Sequence, residues 1–191
     1  MSLKQYYDEQ FEGKVFTVDA LLNQEYECCT FINCQFEEAN LSGVVFINCD
    51  FEGCDLSMSK LYDTAFREAR FKDCKMLGLR FDDCNSFLLE MHFSSCNLSM
   101  SSFYQLKLTG MQFANCNLKE VDFTETDAGK NSFENCEMTN AVFDRSNLEG
   151  ADFTTSVGFT IDPDVNRIAK AKFSRDGALG LLSKYDIVIE G

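Results

Sequence analysis

The fold is decided by the stretch Cys49-Asp-Phe-Glu-Gly-Cys-Asp-Leu-Ser-Met58, in which a large apolar residue stands at every fifth position and a small or thiol-bearing residue stands two positions before it. The same period extends in both directions. From Phe11 to Phe81 and again from Phe93 to Phe153, 27 of the 28 central positions hold Phe, Leu, Tyr or Met, and only Ala128 departs. Since a period of five fits neither an α-helix nor an alternating strand, it predicts a repeat architecture.

Two inward and three outward positions per five residues indicate a chain that turns a corner in each repeat and winds around a narrow apolar axis. The spacing of identical residues gives the length of one coil. Cysteine recurs at Cys34, Cys54, Cys74, Cys96, Cys116 and Cys136, and a phenylalanine column from Phe11 to Phe153 shows the same steps of 20 with a single step of 22. We therefore predict coils of 20 residues with stacked phenylalanine rings, about 4.8 Å apart, and about seven coils in all.

The step of 22 locates an irregularity at residues 84–90, where seven residues replace five. Two residues must then bulge from one face of the rod. Phe87 lies within this bulge, and two interpretations stay open. Either the bulge is merely tolerated and the ring folds back, or the ring points outward in a small loop that contacts a partner.

The pattern [Ala/Cys/Ser]-x-[Leu/Phe]-x-x resembles that of the pentapeptide-repeat proteins, and segments such as Ala141-Val-Phe-Asp-Arg-Ser-Asn-Leu-Glu-Gly150 follow it. The resemblance covers residues 9–155 and implies an all-β fold, a right-handed quadrilateral β-helix with four pentads per coil. We accordingly predict a lead-in over residues 1–10 and a β-helix over residues 11–157. Residues 158–191 are predicted to form a C-terminal cap and dimerisation segment with a short helix and strand.

Composition argues against several other classes of protein. No stretch is apolar enough to cross a bilayer and the N-terminal residues lack a signal peptide's apolar region, so we expect a soluble cytoplasmic protein. Nine of the ten cysteines occupy inward positions and are expected to be reduced core residues, which leaves Cys28 as the one plausible reactive thiol. His92, the only histidine, is expected at the surface. Because no phosphate loop, nucleophile motif or metal-ligand set is present, we expect no enzymatic activity, cofactor or metal.

The charge is unevenly distributed along the chain. The net charge is −14, and residues 158–191 hold five acids and five bases, so the predicted rod carries all of it. Residues 15–59 contain eight acids and no base, whereas residues 60–80 contain six bases against three acids, a stretch that we call the basic band. An acidic rod repels nucleic acid and attracts proteins that bind it, although acidic residues also serve simply to keep a protein soluble.

The tail contains a second amphipathic segment. Residues 174–184 predict a short helix capped by Ser174, and residues 186–190 predict a strand. Such a segment either caps the solenoid or joins two chains around a two-fold axis. We predict a tail-to-tail homodimer through Leu179, Leu181, Leu182, Ile187 and Ile189.

Residues 171–191 resemble the C-terminal segment of the Qnr-type quinolone-resistance proteins in their polar turn, Ala-x-x-Leu-Leu helix and final β-segment. The resemblance implies a dimer that mimics DNA when it binds DNA gyrase or topoisomerase IV, with consequences for quinolone sensitivity and no direct contact with nucleic acid. We therefore predict a partner-binding surface in the acidic lobe nearest the dimer centre, residues 81–157, which contains twelve acids against four bases. Phe87 is a further predicted contact, and the acids are Glu134, Glu137, Asp144, Glu149 and Asp152. The alternative is a pentapeptide-repeat structural or interaction module with another partner. The short bulge and the basic band both depart from the Qnr-type pattern.

Overall fold

The computed structural model describes residues 4–16, 24–108, 110–185 and 187–188. Its strands are β1 (Lys4–Tyr7), β2 (Gln10–Glu12), β3 (Gln24–Glu27), β4 (Thr30–Ile32), β5 (Val45–Ile47), β6 (Asp50–Glu52), β7 (Ala65–Arg67), β8 (Ala69–Lys72), β9 (Met91–Ser94), β10 (Gln112–Ala114), β11 (Ser132–Glu134), β12 (Asp152–Phe153) and β13 (Lys172–Phe173). The described residues also form three short 3-10 helices: η1 (Phe81–Asp83), η2 (Gly177–Leu181) and η3 (Ser183–Tyr185).

The chain winds in coils, and parallel ladders between successive coils form four columns. Each column is one face of a rod. Face A carries a nine-stranded sheet in the order β13-β12-β11-β10-β9-β8-β6-β4-β2, which corresponds to about eight turns. Face B is the column of single bridges from Val15 to Val157, and face C is the column from Asn40 to Val142. Face D begins with the four-stranded sheet β1-β3-β5-β7 and continues as bridges from Lys107 to Arg167. The predicted four-sided β-helix is confirmed.

The corners between faces explain the three outward positions of each repeat. Residues two positions after a central residue have positive φ at many corners, between 51° and 61° for the non-glycine residues, as at Asn33 and Asp73. Asparagine, aspartate and glycine tolerate this left-handed conformation best. A turn at that position redirects the chain by one face, so the local sequence period becomes a four-sided coil.

The phenylalanine column forms the centre of the core. From Phe11 to Phe173 on face A, successive rings lie 4.8 to 5.5 Å apart with interplanar angles of 4° to 17°. Rings of neighbouring columns meet edge to face, as Phe31 and Phe36 do at 5.6 Å and 69°. Both arrangements are favourable for aromatic pairs, and the predicted stacking is confirmed.

The small inward residue contributes a hydrogen bond as well as space. The hydroxyls of Ser59 and Thr64 donate to the carbonyls of Phe36 and Leu41, in the preceding coil, at 2.6 and 2.8 Å. Cysteine thiols do the same, and Cys54 Sγ lies 3.3 Å from the carbonyl oxygen of Phe31. A buried polar group needs a hydrogen-bond partner. Cys, Ser and Thr at this position are small enough to fit the core, and they donate a hydrogen bond to a carbonyl of the preceding coil.

The bulge shifts the register by two residues without breaking the rod. The Asn85 N–H donates to the Thr64 carbonyl at 2.9 Å, and the Glu90 N–H donates to the Phe66 carbonyl at 3.0 Å. Above the bulge, β9 pairs with β8 in the new register, so that Phe93 lies over Phe71. The predicted step of 22 is thereby confirmed.

The ladder also extends beyond residue 157, where the predicted β-helix ends. β13 pairs with β12 in parallel, and Phe173 stacks on Phe153 at 5.5 Å. The sequence between them no longer follows the pentad pattern, but Phe173 stands one full coil after Phe153 and so continues the column. The β-helix therefore has one more turn than predicted. β13 pairs with β12 because Phe173 lies 20 residues after Phe153, even though the residues between them do not repeat every five positions.

The predicted C-terminal helix is two 3-10 turns, η2 and η3, that pack on the last coil. The Ser174 hydroxyl accepts the Gly177 N–H at 2.9 Å, but the residue directly before η2 is Asp176, which makes no side-chain capping bond. Residues three apart lie on one side of a 3-10 helix. Gly177 and Gly180 both approach Phe159, and a Cβ at Gly180 would lie 2.4 Å from the Phe159 carbonyl oxygen. Of the predicted strand, residues 187 and 188 are not in a strand, and the other three residues lie outside the described part.

Candidate interaction surface

The five acids predicted to bind a partner lie on all four faces of the rod. Glu134 and Asp152 are on face A, Glu137 is on face B, Asp144 is on face C and Glu149 is on face D. Glu134 and Glu137 are three residues apart around one corner, and Asp152 lies in the strand next to Glu134. The structure therefore groups three of the five and separates Asp144 and Glu149 from them.

Ion pairs between successive coils neutralise part of the first acidic stretch. Because side chains one full coil apart stand one above the other, bases of the basic band meet acids of the coil before: Arg70 Nε lies 2.6 Å from Asp50 Oδ1, Lys72 Nζ lies 2.7 Å from Glu52 Oε1, and Lys75 Nζ lies 3.9 Å from Asp55 Oδ2. Exposed pairs of this kind add little to stability. Their importance is that they decide which carboxylates remain free to attract a partner.

Similar pairs reach the predicted partner-binding acids. Glu149 lies 3.0 Å from Arg167, Asp152 lies 3.0 Å from Lys172, and Asp144 lies 2.8 Å from Arg145. Arg167 and Lys172 belong to the tail, which sequence analysis treated as a separate neutral segment. The spacing of one full coil between Asp152 and Lys172 is the signal that could have revealed that pair.

Glu134 and Glu137 make no ion pair within the described residues, so they are the least compensated of the five. Glu134 is exposed. Glu137 accepts hydrogen bonds from the hydroxyl and the backbone N–H of Thr139, which lower the pKa of its carboxyl. Thr154 and Lys172 act similarly on Asp152 and lower its pKa. Glu137 and Asp152 are therefore charged at neutral pH, and the Asp152 carboxylate is also paired with Lys172.

Phe87 points outward from the bulge. Its side chain is 66% exposed, and that of Leu88, which has a φ of 58°, is 63% exposed. The bulge is held by Asn85, whose side-chain oxygen accepts the Phe87 N–H at 2.9 Å and whose amide nitrogen donates to Asp63 at 2.8 Å. The Arg67 guanidinium lies 5.7 Å from the centre of the Phe87 ring, a contact that sequence analysis missed.

The predicted dimerisation residues fall into three groups. Leu179, Leu182 and Ile187 are exposed, at 47%, 37% and 55%. Leu181 is partly buried and packs against the core of the last coil, because it lies on the side of η2 that faces the rod. Ile189 lies outside the described residues. The structure thus leaves an apolar surface on η2 and the residues after η3, while Leu181 belongs to the cap.

The cysteines occupy the positions expected of them. Nine are buried and Cys28 is partly exposed; all ten are free thiols. Burial raises the pKa of the Cys49 thiol to about 12, which keeps it protonated and unreactive at neutral pH. Within the described residues, no cluster of three or more histidine, cysteine or acidic side chains has the arrangement of a metal site.

A thiol reagent is expected to modify about one cysteine rapidly in the native protein and all ten cysteines after unfolding. Cys28 is expected to be the fast group because it alone is not buried. A Cys28→Ser variant is the control and should show no fast phase. Several fast native thiols, or disulfides in a freshly purified sample, would contradict this assignment.

His92 is partly buried, with Nε2 3.4 Å from Glu90 and no hydrogen-bond partner for Nδ1 among the described residues. It lines a shallow depression of about 550 Å³ on face A together with Arg70 and Lys72, but these two bases are already engaged by Asp50 and Glu52. Across the described ranges, no helix is both long and apolar enough to traverse a membrane. The arrangement is that of a solenoid presenting side chains on its faces, typical of a structural or interaction module.

Comparisons with known proteins identify the class of solenoid. A family model described as "Pentapeptide repeat region" matches residues 80–153, and one described as "Pentapeptide repeats (8 copies)" matches residues 29–57. Together they cover more than half of the chain, and the repeat pattern and the four ladders agree with them. The chain belongs to the pentapeptide-repeat family.

Solved structures agree at the level of the fold. A trypsin-treated variant of QnrB1, a plasmid-mediated fluoroquinolone resistance protein, is 20% identical with a TM-score of 0.57, over 98% of this chain and 100% of that chain. Full-length QnrB1 is 20% identical with a TM-score of 0.47, over 96% and 100%. HetL, a pentapeptide-repeat protein involved in heterocyst differentiation regulation in the cyanobacterium Nostoc, is 14% identical with a TM-score of 0.42, over 90% and 86%. A search of curated proteins found no match.

Proposed function

We propose that this chain forms an acidic, dimeric rod that binds a bacterial type II topoisomerase, DNA gyrase or topoisomerase IV, in place of DNA. The observation that carries the proposal is a net charge of −14 on a solenoid whose outward side chains repeat at the strand spacing of about 4.8 Å. Two rods joined at their tails would carry twice that charge over about 75 Å, or about one charge per 2.7 Å. Duplex DNA carries one charge per about 1.7 Å of its axis, a comparable density.

Two resemblances support this proposal over other acidic partners. QnrB1, whose structure has the same fold along its whole length, is described as a fluoroquinolone resistance protein, and the resemblance to Qnr-type proteins implies binding to DNA gyrase or topoisomerase IV. The tail, residues 171–191, has the polar turn and the Ala-x-x-Leu-Leu segment of the Qnr-type proteins. An effect on quinolone sensitivity belongs to the same proposal.

Changing Glu134 and Glu137 to glutamine is expected to weaken gyrase binding by about tenfold at about 0.1 M salt, as measured by calorimetric titration of the purified proteins. These two acids have no ion pair in the described part of the chain, so their charge is available to a basic partner. If the surface replaces DNA phosphates, binding should also fall steeply with salt and compete with duplex DNA.

The control is Glu37→Gln with Glu38→Gln, which makes the same change in charge on exposed face-B residues near the other end of the rod. We expect less than about a twofold effect at the same salt concentration, where the Debye length is about 10 Å, because the change lies about five coils, or roughly 24 Å, from Glu137. Equal losses in both variants would mean that the rod attracts gyrase only through its net charge. No binding by the wild type would reject the topoisomerase proposal.

The second candidate function is an interaction module with a different protein partner. It is favoured by the ion pairs between coils, which alternate the charge of face A instead of making it uniformly acidic: Asp50 and Glu52 are followed one coil later by Arg70 and Lys72. A partner for such a surface would present the opposite alternation. Retained binding to another protein, with no effect on gyrase supercoiling, would support this candidate.

A further inference from the structure

Face D carries an unusually apolar surface beside the bulge. Outward positions of the rod are mostly polar, but β5 presents Val45 and Ile47 there, both partly exposed. Two coils higher, Phe87 and Leu88 of the bulge are both exposed. The Phe87 ring reaches back over Arg67, which lies one coil above Ile47. We call Val45, Ile47, Phe87 and Leu88 the D patch.

The backbone beneath the D patch has no free edge. β5 is paired on both sides, with β3 and with β7. Above β7, the bulge closes the ladder through the Asn85 N–H to Thr64 and the Glu90 N–H to Phe66. A partner therefore cannot add a strand at this point and must contact the patch through side chains alone. That requirement favours a helix lying on the sheet face over an extended peptide.

Acidic side chains lie below and beside the D patch. Glu27 and Glu68 are exposed and make no ion pair in the part of the chain that the structure describes, and Glu90 lies 3.4 Å from His92. Two bases lie near these acids: Arg67, which is partly covered by the Phe87 ring, and Lys107, which is exposed on face D one coil above the bulge. A second copy of this chain would bring the same acidic rim and a net charge of −14, so the rim favours a basic partner over self-association.

We propose that the D patch docks an amphipathic basic helix of a partner protein. The apolar stripe of the helix covers Phe87, Leu88 and Ile47, and its lysines or arginines contact the carboxylates of Glu27, Glu68 and Glu90. A helix aligned with the rod repeats its apolar side chains once per turn, about every 5.4 Å, close to the coil spacing of about 4.8 Å. One helical turn thus matches one coil. The inference does not depend on topoisomerase binding.

The test uses the full chain and a synthetic amphipathic helix of about 18 leucine and lysine residues as the probe. Wild type is expected to bind it with saturable one-to-one stoichiometry in calorimetric titration. Phe87→Ser with Leu88→Ser is expected to weaken binding by at least about tenfold, since truncating central anchors costs most of a helix-in-groove contact. The matched control is Tyr62→Ser with Met100→Ser, which removes equally exposed apolar side chains from faces C and B and should change the affinity by less than about twofold.

A second pair of variants tests the acidic rim. Glu27→Gln with Glu68→Gln should weaken binding and reduce its dependence on salt, whereas Glu37→Gln with Glu38→Gln on face B should not. Equal losses in the two apolar variants, or in the two acidic variants, would overturn the proposal, because the probe would then be attracted to the acidic rod without a defined site. Dissociation of a dimer by Phe87→Ser with Leu88→Ser, seen in sedimentation, would also overturn it, since a second copy would be the occupant. Gyrase binding of the same variants separates failure of this site from failure of the proposed function.

Discussion

Replacing Phe71 or Phe113 with alanine is expected to lower the free energy of unfolding by about 3–5 kcal/mol, the usual cost of truncating a phenylalanine in a packed core. Both side chains are almost completely buried in the face-A column. Phe71 stacks on neighbours at 4.8 and 5.4 Å, and Phe113 stacks at 5.1 and 5.2 Å, so each truncation leaves two rings without a partner. Denaturant unfolding followed by circular dichroism measures the loss.

Phe87→Ala is the control for these core variants. Its ring is exposed and lies 5.7 Å from the Arg67 guanidinium, an interaction worth about 0.5–1 kcal/mol at an exposed site. We therefore expect a loss below about 1 kcal/mol. A loss as large as that of Phe71→Ala would mean that the bulge packs into the core, which contradicts the outward position of the ring.

Replacing Leu179 and Leu182 with aspartate is expected to convert a tail-to-tail dimer into a monomer. Burial of an aliphatic side chain contributes about 1.5–3 kcal/mol, and two such residues from each chain can offset much of the cost of association. The substitutions remove the favourable free energy of burying these leucines, and they add negative charge where two acidic chains meet. Sedimentation velocity of the intact chain and of the variant measures the difference.

The control for this experiment is Val15→Asp, since Val15 is an exposed apolar residue on face B near the other end of the rod. It should leave the dimer intact. Leu181 is unsuitable for the test because it packs against the last coil, so its substitution would damage the cap as well as any interface. A monomeric wild type would contradict the predicted dimer and remove the extended acidic surface on which the proposed function depends.

Much of the fold was predictable because the repeat expresses one local rule many times. Within each pentad, the residue types indicate which residues point inward and which residue lies at the corner. The inward residues Cys54 and Phe71 and the corner residue Asn33 therefore have equivalents in neighbouring coils. The two-residue bulge was found in the same way, from the change of step between Phe71 and Phe93. The last turn of the β-helix was not predicted, because the segment before Phe173 no longer follows the pentad pattern. Phe173 itself still pairs in register with Phe153.

The candidate surface was much less predictable. Charge counted along the sequence put Glu149 and Asp152 in an acidic lobe and Arg167 and Lys172 in a neutral tail. In the folded chain these acids and bases face each other across one coil, at 3.0 Å in both pairs. Counting by stretches failed because neighbours on the surface of a β-helix are separated in sequence by a whole coil.

By itself, the sequence determined the family, the period of the coil, the inward cysteines and phenylalanines and the place of the bulge, since each depends on the alternation of apolar and polar residues within a few positions. Only the tertiary structure decided which carboxylates keep their charge uncompensated, that η2 takes a 3-10 form around Gly177 and Gly180, and that the Phe87 ring contacts Arg67 on face D. These features depend on contacts between coils. The strength of such a contact depends on the distance between side chains in successive coils, and no pattern within a few residues of sequence specifies that distance.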